Sequence, residues 1–172
     1  HDMRWDNILT FQVVGFFRPL MNVMFYVTER VMPGNFGAYY ATGIYLHFLN
    51  GVILYHLVAR LTGKLMLASA TALFFLVTST HWAAVGWISA RTALISTGLL
   101  LLSMLVLAGR PPMRWRRWCA VALYVLALGA KEDAVIGVLL LALSWWGGRE
   151  TGSLPDRRTL VYFTAATVLY FV

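Results

Sequence analysis

Long apolar runs separated by short polar breaks are the feature that most constrains how this chain can fold. The cleanest run extends from Tyr39 to Leu61, which is longer than the roughly 20 residues that an α-helix needs to cross a bilayer. The other apolar runs cover 65–79, 92–108, 119–130, 134–146 and, incompletely, 159–172. The pattern predicts an all-α integral membrane protein, a polytopic helix bundle that crosses the bilayer several times.

Composition favours a membrane protein over a water-soluble domain. Hydrophobic residues make up 60% of the 172 residues and charged residues only 12%, and the mean hydropathy is +0.70. A soluble domain of this size could not cover so much apolar surface. The formal net charge is +7, but the basic residues lie between the apolar runs. This distribution is typical of orientation in a membrane and argues against a nucleic-acid partner.

The N-terminal part predicts a helix that lies along the membrane interface. Between residues 18 and 32 the apolar side chains recur at helical spacing and alternate with polar ones. Pro19 falls in the first turn, where its missing N–H costs little, and Pro33 ends the segment. We expect 1–37 to be a non-cytoplasmic loop containing this helix, and 38–172 to be the transmembrane bundle. That bundle has about five crossings or hairpin arms and a truncated last span, as in an internal segment of a longer protein.

Three consecutive charged residues, Lys131, Glu132 and Asp133, separate two short apolar runs. One interpretation is a single long helix that holds these charges in mid-membrane, which is energetically expensive. The other is a short helical hairpin whose charged tip lies at a membrane face or in a water-filled cavity. The sequence favours the hairpin.

The positive-inside rule gives the bundle an orientation. The basic stretches that it assigns to the cytoplasmic side are 60–64, 110–117 and 149–158. They hold nine of the 14 basic residues and two of the seven acidic ones. The segments left for the non-cytoplasmic side are 1–37, 80–91 and 131–133. Every polar group that is a candidate for chemistry therefore falls on one face.

The polar loop from residue 80 to residue 91 contains the first candidates. Trp82 and Trp87 suit the membrane–water interface, where an indole buries its ring and keeps its N–H hydrated. His81 and Arg91 stand beside them, and the planar fork of an arginine suits a lipid phosphate. The alternative is that this pair only anchors two helix ends.

Other polar residues admit a functional and a structural interpretation as well. Asp2 is a candidate general base or cation ligand, or else part of a solvated pair of carboxylates. The charges at 131–133 form either a clamp in a polar cavity or an ion pair that caps the hairpin. His47 and Asn50 are expected to make an interhelical hydrogen-bond pair rather than a ligand site. The four His lack metal-ligand spacing and Cys119 is the only cysteine, so no metal site is expected.

The order of four motifs resembles the GT-C superfamily of membrane glycosyltransferases, and is most similar to the O-mannosyltransferase-like proteins of the TMTC type. The motifs are FRPL (17–20), NFGAYYATGIYLHFLN (35–50), THWAAVGWISAR (80–91) and GAKEDAV (129–135). That family typically shows YRPL, a span with LLHxLN, HPxHxEAVxWIxGRxDLL and a short hairpin with KE, in this order. The resemblance covers nearly the whole chain.

The resemblance implies an enzyme that uses a polyprenyl-phosphate-linked sugar as donor and a protein or lipid acceptor on the non-cytoplasmic side of a bacterial inner membrane or an ER-type membrane. By position, Asp2 would be the catalytic base for the acceptor hydroxyl. Arg91 and Lys131 would bind the lipid phosphate, beside His81, and Glu132 would belong to the polar site. No other cofactor is implied.

Two departures from the family pattern leave a second hypothesis open. Ala83 and Ala93 replace a Glu and an Asp of the longest motif. A chain that has lost these acids could instead be a non-catalytic accessory subunit, with its apolar faces packed against other membrane subunits and lipids. A small-solute transporter has less support, because the chain shows neither an inverted repeat nor matching Gly/Pro-broken spans.

Overall fold

The computed structural model describes residues 19–78, 91–109, 113–147 and 157–171. Within these ranges the chain forms seven α-helices and no strand, which confirms the predicted all-α class. The helices are α1 (Pro19–Val31), α2 (Phe36–Thr62), α3 (Leu65–Val77), α4 (Arg91–Leu107), α5 (Arg114–Ala130), α6 (Ile136–Gly147) and α7 (Arg157–Phe171). A 3-10 turn, Glu132–Val135, lies between α5 and α6.

The ends of α2 follow from local capping chemistry. At its start, the side-chain oxygen of Asn35 accepts a hydrogen bond from the backbone N–H of Ala38 at 3.1 Å, which satisfies a donor that the helix itself leaves open. At its end, Gly63 adopts a left-handed conformation with φ of 69°, which glycine enters without a steric penalty. These caps extend α2 beyond the apolar run that predicted it.

The apolar runs 92–108 and 119–130 predicted a basic turn over Gly109 to Trp118 between them, and this prediction was wrong in its second half. Helix α5 begins at Arg114 and therefore includes the second half of this stretch. Arginine is a good helix former, and an exposed charge does not end a helix. Apolar periodicity alone therefore located the start of α5 too late.

The predicted helical hairpin is confirmed, and the single long helix is excluded. Helix α5 ends at Ala130, the chain turns through the 3-10 segment, and α6 folds back. A Cβ atom on Gly137 would lie 2.9 Å from the Tyr124 ring and 2.7 Å from Leu100. Only a glycine at this position lets α6 approach α4 and α5 so closely.

Helix α4 lies at the centre, between α2 and α5, while α3 packs on α2 and α7 packs on α5 and α6. The core is formed by buried side chains of α4 to α7, with the Tyr124 and Phe163 rings stacked at 4.4 Å between centroids. The Tyr124 hydroxyl lies 2.7 Å from the Thr167 hydroxyl. The hairpin and the last helix therefore share one core with α4.

Polar side chains join the helices by hydrogen bonds to backbone carbonyls. His47 and Asn50 of α2 confirm the interhelical role expected of them. The Asn50 amide donates to the carbonyl of Leu94 at 2.8 Å, and a ring nitrogen of His47 lies 3.3 Å from the carbonyl of Leu76. The Ser103 hydroxyl donates likewise to the carbonyl of Ala120 at 2.8 Å. Such bonds fix the position of each helix along the axis of its neighbour.

One described helix, Gly37–Thr62, is long and apolar enough to cross a membrane, judged by length and composition. Two shorter helices, Leu65–Val77 and Arg91–Leu107, are also apolar. The outward faces carry large hydrophobic side chains, for example Met66 at 84% and Phe74 at 72% exposure. The membrane topology itself stays a prediction.

Candidate functional site at the Arg91 end of the bundle

Helices α2 and α4 begin at one end of the bundle, and α5 finishes there. This end, called the Arg91 end below, comprises α1, the first turns of α2 and α4, and the hairpin tip at 131–133. The Ser96 hydroxyl connects α4 to the tip, because it lies 3.1 Å from the carbonyl of Ala127 and 3.4 Å from that of Lys131. Ser96 follows Arg91 by about 7.5 Å along the helix axis.

Arg91 is enclosed by aromatic rings. The residue is only 2% exposed, and its guanidinium carbon lies 4.6 Å from the centroid of the Tyr39 ring and 5.2 Å from that of Phe25. A guanidinium over an aromatic face is attracted by the ring quadrupole, and the attraction grows when water is excluded. Arg91 thus joins the middle of α1 to the starts of α2 and α4.

Glu29 completes this arrangement from α1. Its carboxylate accepts a hydrogen bond from the Tyr39 hydroxyl at 2.8 Å and another from the backbone N–H of Gly34 at 3.3 Å. Phe25 and Glu29 are four residues apart and therefore share one face of α1. A phenol that donates to a carboxylate has a more electron-rich ring, so Glu29 strengthens the contact between Tyr39 and Arg91.

The hairpin tip carries a solvent-accessible ion pair. The ammonium of Lys131 contacts the carboxylate of Asp133, with the two side chains 28% and 67% exposed. Glu132 between them is half-buried. Because water reaches the pair, the interaction contributes little to stability.

The structure thus brings Lys131, Glu132 and Arg91 of the predicted site to one end of the bundle. The predicted residues Asp2 and His81 lie outside the described residues. Among the residues that are described, no group of three or more His, Cys, Asp or Glu is arranged to hold a metal ion.

Sequence reasoning did not identify the aromatic enclosure of Arg91. The sequence assigned no role to Phe25, and Tyr39 marked only the start of a predicted span. The available signal was the spacing of Phe25 and Glu29, which puts an aromatic ring and a carboxylate on the same face of α1. This spacing identifies a cation-binding face only when the cation that contacts it, here Arg91, is also known.

Comparisons with protein-family models, with curated proteins and with solved structures find no match to this chain. The resemblance to GT-C glycosyltransferases therefore stays a prediction that depends on the four sequence motifs. The function is argued below from those motifs together with the geometry of the Arg91 end.

Proposed function

We propose that the chain is the membrane module of a GT-C-type glycosyltransferase, which moves a sugar from a polyprenyl phosphate to an acceptor on the non-cytoplasmic side. The observation that carries this proposal is the convergence of motifs that are distant in sequence. Tyr39, Arg91 and Lys131 come from three different motifs and lie at the same end of the bundle. An enzyme needs such convergence, because the lipid phosphate and the acceptor must meet one fixed set of groups.

The exposed apolar surface supports the membrane part of the proposal. A core helix of a water-soluble protein is mostly buried. In contrast, only 17% of the most apolar 18-residue window of α2 is buried. Exposed hydrophobic side chains continue along α3, α6 and α7, where Leu169 reaches 79% exposure. In this proposal lipid acyl chains cover these faces. The basic segments between the helices then lie on the cytoplasmic side.

Lys131 is the residue proposed to bind the donor phosphate. Its ammonium is accessible and has Asp133 as an exchangeable partner. A fixed cation beside the leaving phosphate stabilises the negative charge that develops as the sugar–phosphate bond breaks. The acceptor oxygen bonds to the anomeric carbon as its proton passes to the base, a role that the resemblance assigns to Asp2.

Arg91 has a different role in this proposal. Because its guanidinium is buried between the Phe25 and Tyr39 rings, it holds α1 against the starts of α2 and α4. It also adds a fixed positive charge to the end at which the phosphate is proposed to bind. Glu132, half-buried in the hairpin tip, is proposed to belong to the polar wall of the same site.

We expect Lys131→Met to lower the rate of sugar transfer by about tenfold to a hundredfold, the range for losing one hydrogen-bonded charge contact. The assay uses the full protein in nanodiscs with a polyprenyl-phosphate hexose and measures initial rates of sugar transfer. Lys64→Met is the matched control, because Lys64 is an exposed lysine at the other end of α2. Asp133→Asn should retain activity, since it removes the competitor for Lys131 and leaves the cation in place.

Equal loss in the Lys131 and Lys64 variants would contradict the assignment of Lys131. A wild-type protein that transfers no sugar would instead favour the second candidate, a non-catalytic accessory subunit. The observation behind that candidate is the broad uncovered apolar face around Phe74 and Met66. A photo-crosslinker at Phe74 distinguishes the two, because it labels lipid in a lone enzyme and a neighbouring subunit in an assembly.

A further inference from the structure

The hairpin tip that carries Lys131 is held in place by its backbone. The 3-10 segment after Lys131 packs on α4 and α5, and Ala130 and Ala134 on either side of the tip are buried. The backbone N–H of Lys131 donates to the carbonyl of Ala127 at 3.0 Å, and the carbonyl of Lys131 accepts a hydrogen bond from the N–H of Ala134 at 3.1 Å. The side chain of Lys131 is nevertheless 28% exposed. An accessible ammonium therefore extends from a fixed backbone.

The side chain of Ser96 in α4 reaches both carbonyls of this turn. Ser96 is only 4% exposed, and its hydroxyl lies 3.1 Å from the carbonyl oxygen of Ala127 and 3.4 Å from that of Lys131. A hydroxyl has one proton to donate, so the two carbonyls share it. Both carbonyls already accept a backbone hydrogen bond and do not need Ser96 for this purpose. The contribution of Ser96 is to tie the last turn of α5 and the tip to α4.

Ser103 provides an internal comparison for Ser96. It lies on the same face of α4, about two helical turns further along. It is fully buried, and its hydroxyl donates to the carbonyl of Ala120 in α5 at 2.8 Å. The two serines therefore make the same kind of hydrogen bond between the same two helices. They differ because Ser96, and not Ser103, also reaches the residue that carries the ammonium.

We propose that Ser96 is a positioning residue for Lys131, which fixes the hairpin tip on α4 and thereby the place at which the ammonium meets the donor phosphate. This inference rests on the phosphate-binding role proposed above for Lys131. A lysine side chain is long and flexible, so the position of its backbone decides where its ammonium can reach. A displacement of about 1 Å in a binding group is enough to cost affinity or rate. Ser96 acts through the backbone of Lys131 and does not touch the donor itself.

Hydrogen exchange tests the position of the tip without any enzyme assay. In the full protein in nanodiscs, we expect Ser96→Ala to speed the exchange of the backbone N–H groups of 131–135 by about fivefold, the equilibrium change for losing one ordinary hydrogen bond. Ser103→Ala is the matched control and should leave these N–H groups unchanged. Wild-type exchange at the tip of the Ser96→Ala variant would overturn the inference, and so would an equal increase in both serine variants.

The kinetics of sugar transfer test whether the position of the tip matters to the donor. We expect Ser96→Ala to raise the KM for a polyprenyl-phosphate hexose by about threefold to tenfold, and to leave the KM for the acceptor unchanged. A merely structural defect would lower the folded fraction, and hence kcat, without changing either KM. Ser103→Ala should therefore keep the wild-type KM for the donor.

A double variant tests whether Ser96 acts through Lys131. In the Lys131→Met background, Ser96→Ala should raise the KM for the donor no further, because the group that it positions is absent. A second rise of the same size in that background would overturn the assignment.

The two kinds of measurement separate this inference from the proposed function. A wild type that transfers no sugar, but whose tip exchanges faster in the Ser96→Ala variant alone, would contradict the glycosyltransferase function and support Ser96 as the residue that positions the tip. An active wild type whose KM for the donor is unaffected by Ser96→Ala would support the enzyme and overturn the positioning role.

Discussion

Replacement of Arg91 by alanine is expected to lower the free energy of unfolding by about 3–5 kcal/mol. Two terms contribute to this loss. Truncating a buried large side chain leaves a cavity, and two cation–π contacts, with Tyr39 and Phe25, disappear. Differential scanning fluorimetry of the detergent-solubilised protein measures the accompanying fall in the thermal midpoint. Hydrogen exchange of the peptide that covers α1 should show faster exchange, because Arg91 holds this helix to α2 and α4.

Two further variants test the physical cause. Tyr39→Phe keeps the ring but removes the hydrogen bond to Glu29, and should lose only about 1 kcal/mol. Arg30→Ala removes an exposed arginine of α1 and should change neither stability nor exchange. If Arg91→Ala leaves the exchange of α1 unchanged, Arg91 is not what holds this helix in place.

Gly137→Val is expected to be the second most damaging substitution, with a loss of about 3 kcal/mol. A Cβ atom at this position would lie 2.7 Å from Leu100 and 2.9 Å from the Tyr124 ring. Tyr124 is fully buried and stacked on Phe163, so the ring cannot move aside without disturbing the core. We therefore expect the hairpin to open and the thermal midpoint to fall.

The Gly137→Ala variant tests the same close contact with the smallest possible side chain. In an open helix this change gains about 1 kcal/mol, because alanine is the better helix former, so a loss here measures steric overlap. Ala70→Val is the control for added bulk, since Ala70 lies exposed on α3 and should accept the larger side chain. A stabilised Gly137→Ala protein would mean that α6 does not pack against α4 and α5 as closely as described.

The existence and order of the helices could be predicted from the sequence, because each apolar run is continuous and bounded by polar residues. The hairpin was also predictable, since three adjacent charges at 131–133 are too expensive in the middle of a membrane helix. The start of α5 was not, because the basic residues before Cys119 are compatible with both a turn and a helix. The caps formed by Asn35 and Gly63 set the ends of α2, which hydropathy alone does not locate.

The candidate site was only partly predictable. Their charge and their position in polar segments predicted Arg91 and Lys131 as site residues. Both lie at the same end of the bundle in the part of the chain that the structure describes. The contacts with Phe25, Tyr39 and Glu29 depend on how α1 crosses the bundle, and that crossing depends on tertiary packing between residues that are distant in sequence. No periodicity within a single helix contains this information, and Asp2 and His81 stay predictions.

The central position of α4 has a mechanical consequence. A hydrogen bond from the Asn50 side chain of α2 reaches the carbonyl of Leu94 in α4. Two hydrogen bonds from α4, donated by Ser96 and Ser103, reach carbonyls of α5, those of Ala127 and Ala120. Sliding α4 by one turn along its axis would break all three bonds at once. Helix α4 is therefore locked in register with both neighbouring helices, and α2 and α5 keep a fixed axial position relative to each other although they are distant in sequence.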